Sequence, residues 1–186
     1  LLLFIAALSV LSAQSQTSVY HPFPDSNASW NIHMAQGMCF MGGWSDEDYS
    51  IMISGDTIID SQIYHKLTTP WVEVVSTGGC TQQNFSGYQG AIRQDIPGKK
   101  VFFVPPSASE ENLLYDFNLE VGDTVRGYLQ LFYGSTDVVT EIDSVLVGDN
   151  YRKRWSVNPC YGIYLIEGIG STYGLLASSP GCMTDM

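Results

Sequence analysis

The sequence predicts an all-β fold with little helix, built as a single antiparallel meander that forms a barrel or a sandwich. From residue 49 onward, short apolar runs alternate with turn signals rich in Gly, Asp, Asn and Pro. The chain contains 18 glycines and 11 tyrosines, which suit tight turns and pleated strands respectively. No long segment follows the helical period, so a sheet protein is the expected architecture.

The predicted strands follow one another at short intervals along the chain. In order they are residues 49–53, 57–59, 63–67, 71–75, 88–93, 99–104, 113–117, 124–133, 138–147, 151–157, 161–166 and 171–176. Two pairs of these strands are expected to be hairpins, because turn formers separate them closely. Pro97-Gly98 marks the first of these hairpins, and Gly148-Asp149 marks the second.

The tripeptide Gly-Asp-Thr occurs twice and predicts two further turns, at Gly55-Asp56 and at Gly122-Asp123. Glycine reaches positive φ without steric cost, and the aspartate side chain bonds to the turn backbone. The residues that flank the two copies do not align over a full unit, so they indicate a reused turn and not an internal repeat.

The first thirteen residues are apolar and carry no charge. They are too few to span a membrane as a helix and fit the apolar core of a signal peptide, with small residues at Ala13 and Ser15 near the cleavage position. The alternative is a buried N-terminal strand or helix. We expect residues 1–15 to be a signal peptide clipped at its start, 16–48 an irregular extension, and 49–186 a β domain cut short at its C-terminus.

Composition and charge restrict the range of partners. Hydrophobic residues make up 45% of the chain, and the formal net charge is −11. This charge argues against nucleic-acid binding and against attachment to an anionic lipid surface, since both favour basic proteins. We expect no membrane insertion of the mature chain, and glycans, proteins and small apolar ligands stay open as partners.

An exported chain is expected to form disulfides, and this one has four cysteines, Cys39, Cys80, Cys160 and Cys182. Four cysteines allow three pairings. The pairs Cys39–Cys80 and Cys160–Cys182 are favoured because they close the shorter loops. The wide spacing makes a zinc site improbable, and no cofactor is expected.

Two carboxylates lie inside apolar runs and are weak catalytic candidates, Asp116 and Glu167. Two facing carboxylates can hydrolyse glycosides. The favoured interpretation is structural, because an acid in an apolar strand is either exposed or paired. We expect ion pairs that join Arg93 or Arg154 to Asp116 or Glu167.

A second set of weak candidates would bind ligands. The acidic cluster Asp46, Glu47 and Asp48 is a weak calcium candidate in what we expect to be a solvated loop. The glycine-rich residues 168–174 look superficially like a phosphate-binding loop, but a tight turn or bulge is favoured because the context is β.

We expect most of the four tryptophans and the many tyrosines to pack in the core, and a sugar-stacking platform is the alternative. These tryptophans are Trp30, Trp44, Trp71 and Trp155.

One ordered series of short motifs resembles a group of known proteins. The series is Ser54-Gly55-Asp56-Thr57, Tyr64-His65-Lys66-Leu67, Gly90-Ala91-Ile92-Arg93, Lys100-Val101-Phe102-Phe103, Leu113-Leu114-Tyr115-Asp116-Phe117, Val121-Gly122-Asp123-Thr124-Val125, Ile142-Asp143-Ser144-Val145, Arg152-Lys153-Arg154 and Ile166-Glu167-Gly168-Ile169-Gly170-Ser171. It resembles the N-terminal β region of uncharacterised secreted Bacteroidetes proteins that commonly carry a C-terminal type IX secretion sorting domain. The resemblance implies a location at the surface or in the medium of a Gram-negative bacterium and downstream domains, and it brings no catalytic residues.

Three functions stay open on this basis. The favoured one is an extracellular, non-catalytic β module that binds, adheres or acts as a scaffold within a larger surface protein. The alternatives are a β-barrel that holds a small apolar ligand and a secreted hydrolase that uses the two carboxylates. A fully filled core would count against the barrel.

Overall fold

The computed structural model describes residues 19–39, 42–130, 137–158 and 162–177, and it confirms the all-β prediction. The described residues form eleven strands and one short 3-10 helix, Tyr128–Gln130. The strands are β1 (Ser29–Cys39), β2 (Gly43–Ile59), β3 (Gln62–Thr69), β4 (Val72–Ser76), β5 (Gly87–Asp95), β6 (Lys100–Val104), β7 (Asn112–Asp116), β8 (Glu141–Val147), β9 (Asn150–Asn158), β10 (Ile163–Ile166) and β11 (Gly170–Ser171).

The larger sheet has seven strands in the order β1-β2-β3-β5-β6-β7, with β4 paired to β2. All of its pairings are antiparallel, and the sheet is strongly curled into a half-barrel. Strands β3 and β4 pair with successive parts of β2, since Thr68 lies opposite Met52 and Val72 opposite Tyr49. Pro70 separates them because it has no N–H to donate to the ladder. The two strands therefore act as one strand with an interruption.

The smaller sheet has four strands in the order β11-β10-β9-β8, and its apolar side chains share one core with the larger sheet. Trp155 of β9 is 0% exposed, and its ring lies 5.7 Å from the ring of Phe117. Tyr115 of β7 stacks on Phe117 at 5.9 Å. We call the side of the larger sheet that contributes to this core its inner face, and the opposite side its outer face.

Both predicted hairpins form. Strands β5 and β6 are joined by a turn in which the Gly98 N–H donates to Asp95 Oδ1 at 3.2 Å, and β8 and β9 are joined across Gly148 and Asp149. These turns form because their signals are local to the chain.

The two Gly-Asp pairs adopt different structures. Gly122 and Asp123 do form a turn, in which the Asp123 N–H donates to the Glu120 carbonyl at 3.0 Å. The predicted turn at Gly55 and Asp56 is wrong, because β2 continues through both residues as a bulge in its pairing with β3. A glycine with φ near +97° serves a bulge as well as a turn, so the dipeptide does not distinguish them.

Two predicted segments are also wrong. Residues 16–48 were expected to be irregular, yet β1 and the start of β2 lie there. Within 124–133 the described residues form the 3-10 helix and a single bridge from Thr124 to Val138 instead of a strand. Gly127 has φ +119°, outside the extended region, and its backbone approaches the Leu113 carbonyl too closely for a Cβ. The predicted signal peptide at 1–15 lies outside the described residues.

Within the parts of the chain that the structure describes, no helix has the length and apolar character that crossing a bilayer requires.

Replacement of Gly90 by alanine should destabilise the fold. Gly90 has φ +111°, and a Cβ there would lie 2.5 Å from both a Phe103 ring carbon and the Val104 carbonyl oxygen. We expect a loss of roughly 2–4 kcal/mol in the free energy of unfolding, measured by urea titration. Gly37→Ala is the matched control, since nothing lies within 4 Å of a Cβ at that strand position. Equal stability of the two variants would contradict the packing described.

Candidate binding surfaces

The Cys39–Cys80 disulfide, as predicted, ties the end of β1 to the loop between β4 and β5. The two Cα atoms are 5.1 Å apart, and the bond closes a separation of 41 residues. Such a bond persists in an oxidising compartment. Cys160 and Cys182 lie outside the described residues, so their pairing stays a prediction.

Glu47 holds the same loop from the other side. Its carboxylate is buried, and it accepts hydrogen bonds from the backbone N–H groups of Gln83 at 2.6 Å and Asn84 at 2.9 Å. The Asn84 side-chain amide donates a third bond at 2.8 Å. These N–H donors engage both carboxylate oxygens, so Glu47 anchors the loop to the inner face of β2.

The strand geometry separates the three side chains of the weak calcium candidate. Asp46, Glu47 and Asp48 lie in an extended strand, where successive side chains point to opposite faces, so the three carboxylates cannot converge. Asp48 pairs with His33 at 2.9 Å on the outer face. No group of three metal-ligating side chains occurs among the described residues.

The two weak catalytic candidates are each held by structural partners. Asp116 lies 3.4 Å from Lys100 Nζ and accepts a bond from the Asn118 N–H at 2.9 Å. Glu167 is buried and lies 3.2 Å from His21 Nδ1. These contacts attach β7 to its neighbouring turn and attach the N-terminal segment to the turn after β10.

The predicted ion-pair partners are wrong, although Arg93, Arg154 and Asp116 each form an ion pair and Glu167 lies within hydrogen-bond distance of His21. Arg93 binds Glu111 with two hydrogen bonds, and Arg154 binds Asp143 in the same bidentate way. The Arg93 hydrogen bonds hold the pKa of Glu111 below its ordinary value, and Arg154 does the same for the pKa of Asp143. Asp116 and Glu167 pair instead with Lys100 and His21, as described above.

The glycine-rich residues 168–174 form a tight turn and close packing, as favoured from the sequence. Gly168 has φ +69°, and a Cβ on it would lie 2.5 Å from an Arg152 side-chain nitrogen. A Cβ on Gly170 would lie 2.8 Å from the Tyr115 ring. The glycines are there because backbone and side chains approach closely, and the described residues that follow them, 175–177, are not helical.

The four tryptophans divide into two structural classes. Trp155 is in the core. Trp30 packs against this core and donates its indole N–H to the Ile169 carbonyl at 3.0 Å. Trp44 and Trp71 are 43% and 48% exposed. The sequence did not separate these pairs, because each tryptophan has apolar residues nearby in the chain.

The exposed tryptophans share the outer face of the larger sheet with other large side chains. Tyr49, Ile51 and Val72 belong to the core cluster, so the residues that alternate with them point outward. The large hydrophobic residues exposed on this face are Trp44 and Met52 of β2, Val75 of β4, Tyr88 of β5, and Trp71 immediately before β4. We call these five residues the outer aromatic surface.

Polar groups lie between the apolar members of this surface. By register, Asp46 lies opposite Val75, and Asp48 lies opposite Glu73. On the β1 side of β2, Ser50 donates to Asn31 Oδ1 at 2.7 Å. Carboxylate, hydroxyl and amide groups therefore accompany exposed ring faces on a single sheet surface.

Two adjoining clefts lie beside the N-terminal segment. One has a volume of about 580 Å³, and its lining includes Phe23, Ile63 and Ile96. The other has a volume of about 410 Å³, and Asp25 and His65 line both. His65 Nδ1 lies 2.8 Å from Asp56 Oδ1, so this pair stands where the two clefts meet.

No family model, no curated protein and no solved structure matches this chain. Function must therefore be inferred from the chemistry of the surfaces themselves.

Replacement of Glu47 by alanine should release the loop that carries Cys80. The variant leaves the Gln83 and Asn84 N–H groups without their buried acceptor, at a cost of about 2–4 kcal/mol. Hydrogen exchange at these two amides should accelerate. Asp46→Ala, which changes the neighbouring acid on the outer face, should leave both exchange rates unchanged. Unchanged exchange in Glu47→Ala would contradict the anchoring role.

The Arg93–Glu111 pair should make stability depend on pH. A carboxyl whose folded-state pKa is depressed stabilises the fold above its unfolded-state pKa of about 4.3, and this contribution disappears as pH falls through the folded-state value. The wild type should therefore exceed Glu111→Gln by about 1 kcal/mol at pH 7. Urea titrations should show this difference shrinking below about pH 4. Glu110→Gln, at the exposed neighbouring residue, should not reproduce it, and a difference that is constant with pH would contradict the assignment.

Proposed function

We propose that this chain is an extracellular, non-catalytic binding module, and that its outer aromatic surface binds a carbohydrate. The observation that carries the proposal is the exposure of Trp44, Trp71 and Tyr88 on one face of one sheet. Large aromatic side chains are expensive to leave in water, so several on one face indicate a surface that is covered in use.

The extracellular part of the proposal rests on three observations. The Cys39–Cys80 disulfide suits an oxidising compartment. The apolar residues 1–13 have the character of a signal peptide. The ordered motif series resembles secreted Bacteroidetes surface proteins, from which we extend the proposal to a module of a larger exported protein.

The choice of carbohydrate rests on the mixture of groups on this face. Sugar rings present C–H groups that pack on an indole face, and hydroxyls that bond to carboxylates and amides. Trp71 immediately precedes Val72, which lies opposite Tyr49. Tyr49 is five residues along β2 from Trp44, so the backbones of the two tryptophans are roughly 17–20 Å apart along the strand. That separation suits a chain of several sugars better than a single one.

The two alternatives have less support. A barrel for a small apolar ligand needs a free interior, whereas the space between the sheets is filled by side chains such as Phe103, Tyr115 and Trp155. A hydrolase needs two carboxylates free to act on a substrate, whereas Asp116 and Glu167 are engaged with Lys100 and His21.

Trp71→Ala should weaken polysaccharide binding by roughly 10- to 100-fold, because a central aromatic contact contributes about 1.5–3 kcal/mol. Affinity gel electrophoresis against cellulose derivatives, xylan, mannan and soluble chitin derivatives measures the retardation of the protein. Calorimetry with oligosaccharides of the retarding polymer then measures the affinity.

Tyr151→Ala is the matched control, because Tyr151 is an exposed aromatic residue on the smaller sheet. It should be retarded as strongly as the wild type. Absence of retardation by every polymer, or equal retardation of wild type and Trp71→Ala, would contradict the proposed carbohydrate surface.

A further inference from the structure

The outer edge of β1 is a second feature that indicates a partner, and the argument for it does not depend on the outer aromatic surface. β1 is the end strand of the larger sheet, and among the described residues it pairs with β2 alone. Its other side presents a strand edge.

The hydrogen-bond pattern fixes which backbone groups point toward that edge. The Ile53 N–H donates to the Ala28 carbonyl at 3.1 Å. Bonded pairs alternate along an antiparallel ladder, so Trp30 and Ile32 are the next residues to bond to β2. The N–H and C=O groups of the intervening residues, Ser29, Asn31 and His33, therefore point away from β2.

A cleft of about 400 Å³ lies along these outward groups. Residues 29–33 form one wall, and residues 171–175 form the other. The second wall uses backbone groups in its own contacts, since the Thr172 N–H donates to Tyr164 and the Gly174 N–H donates to Ser171. No described residue makes a hydrogen bond to the outward backbone groups of β1.

The strand itself lacks the devices that prevent strand addition, and a cleft separates it from the neighbouring loop, residues 171–175. Proteins protect exposed edges with proline, lysine, bulges or a covering loop. The sequence of β1 contains neither proline nor lysine. Its irregularity falls between Gln36 and Cys39, beyond the stretch that borders the cleft.

We propose that this edge binds an extended segment of another polypeptide, which adds a strand beside β1. Backbone groups repeated at every second residue are what such a segment recognises. Its side chains on the inner face would lie beside Trp30 and Ile32, which favours apolar residues. Those on the outer face would lie beside Asn31 and the His33–Asp48 pair, which favours polar residues. The net charge of −11 favours basic ones.

A short, end-blocked peptide of alternating valine and lysine, labelled with a fluorophore, is a suitable probe. Fluorescence anisotropy measures its binding, and hydrogen exchange measures protection at Ser29, Asn31 and His33. We expect binding to the wild type with slowed exchange at these three amides. Asn31→Pro should bind at least about tenfold more weakly, because the ring removes one outward N–H without removing a backbone bond to β2.

Asn31→Ala is the matched control, because it keeps the N–H and loses only the side chain. It should bind the probe as the wild type does. A probe with N-methyl groups on alternate residues should bind at least about tenfold more weakly to the wild type. This comparison needs no variant, and His33→Pro replaces Asn31→Pro if the latter does not fold.

Three outcomes would overturn the proposal. Equal binding of the methylated and unmethylated probes would show attraction by charge alone. Absence of binding, or binding without protection of the three amides, would show that the edge takes no strand. Sedimentation of the wild type as a dimer and of Asn31→Pro as a monomer would assign the edge to a second copy of this chain.

Discussion

The packing of the curled sheet onto the smaller sheet determines the rest of the molecule. Trp155 is completely buried between them, and its indole N–H is satisfied by the Leu119 carbonyl at 2.8 Å. Burial of a side chain this large contributes roughly 3 kcal/mol. Because side chains alternate along a strand, the choice of inner face for Tyr49, Ile51 and their neighbours also assigns every outward residue. The core and the candidate binding surface are thus two consequences of one register.

The same packing onto the core determines which groups β1 presents at its outer edge. Trp30 and Ile32 point to the core and bond to β2, and this leaves the backbone of the intervening residues directed at the cleft. The disulfide at Cys39 holds the end of β1. Together with the Glu47 carboxylate, it also holds the loop between β4 and β5. An edge and an outer face built on paired strands suit recognition by pre-formed surfaces, which avoids the entropy cost of ordering loops on binding. Both proposals therefore place binding on strands and not on flexible segments.

Features set by neighbouring residues were predictable, and most features set by distant residues were not. The hairpin at Gly98 follows from local turn chemistry. The Cys39–Cys80 pair is the long-range exception, because four cysteines allow only three pairings and this one closes a shorter loop. The partner of Arg93 is 18 residues away at Glu111, on a segment whose position depends on the whole sheet. The role of Glu47 depends on a loop 36 residues further on. The alternation of Trp30, Ile32 and Met34 with the polar residues between them was a strand signal for β1 that the prediction missed.

Hydroxyl-radical footprinting read by mass spectrometry tests the central claim most directly, because it reports the exposure of each tryptophan in solution. The account predicts rapid oxidation of Trp44 and Trp71, and protection of Trp155 until the protein unfolds. Oxidation of Trp155 in the folded protein at the rate of Trp71, or protection of Trp44 and Trp71, would contradict the assignment of inner and outer faces.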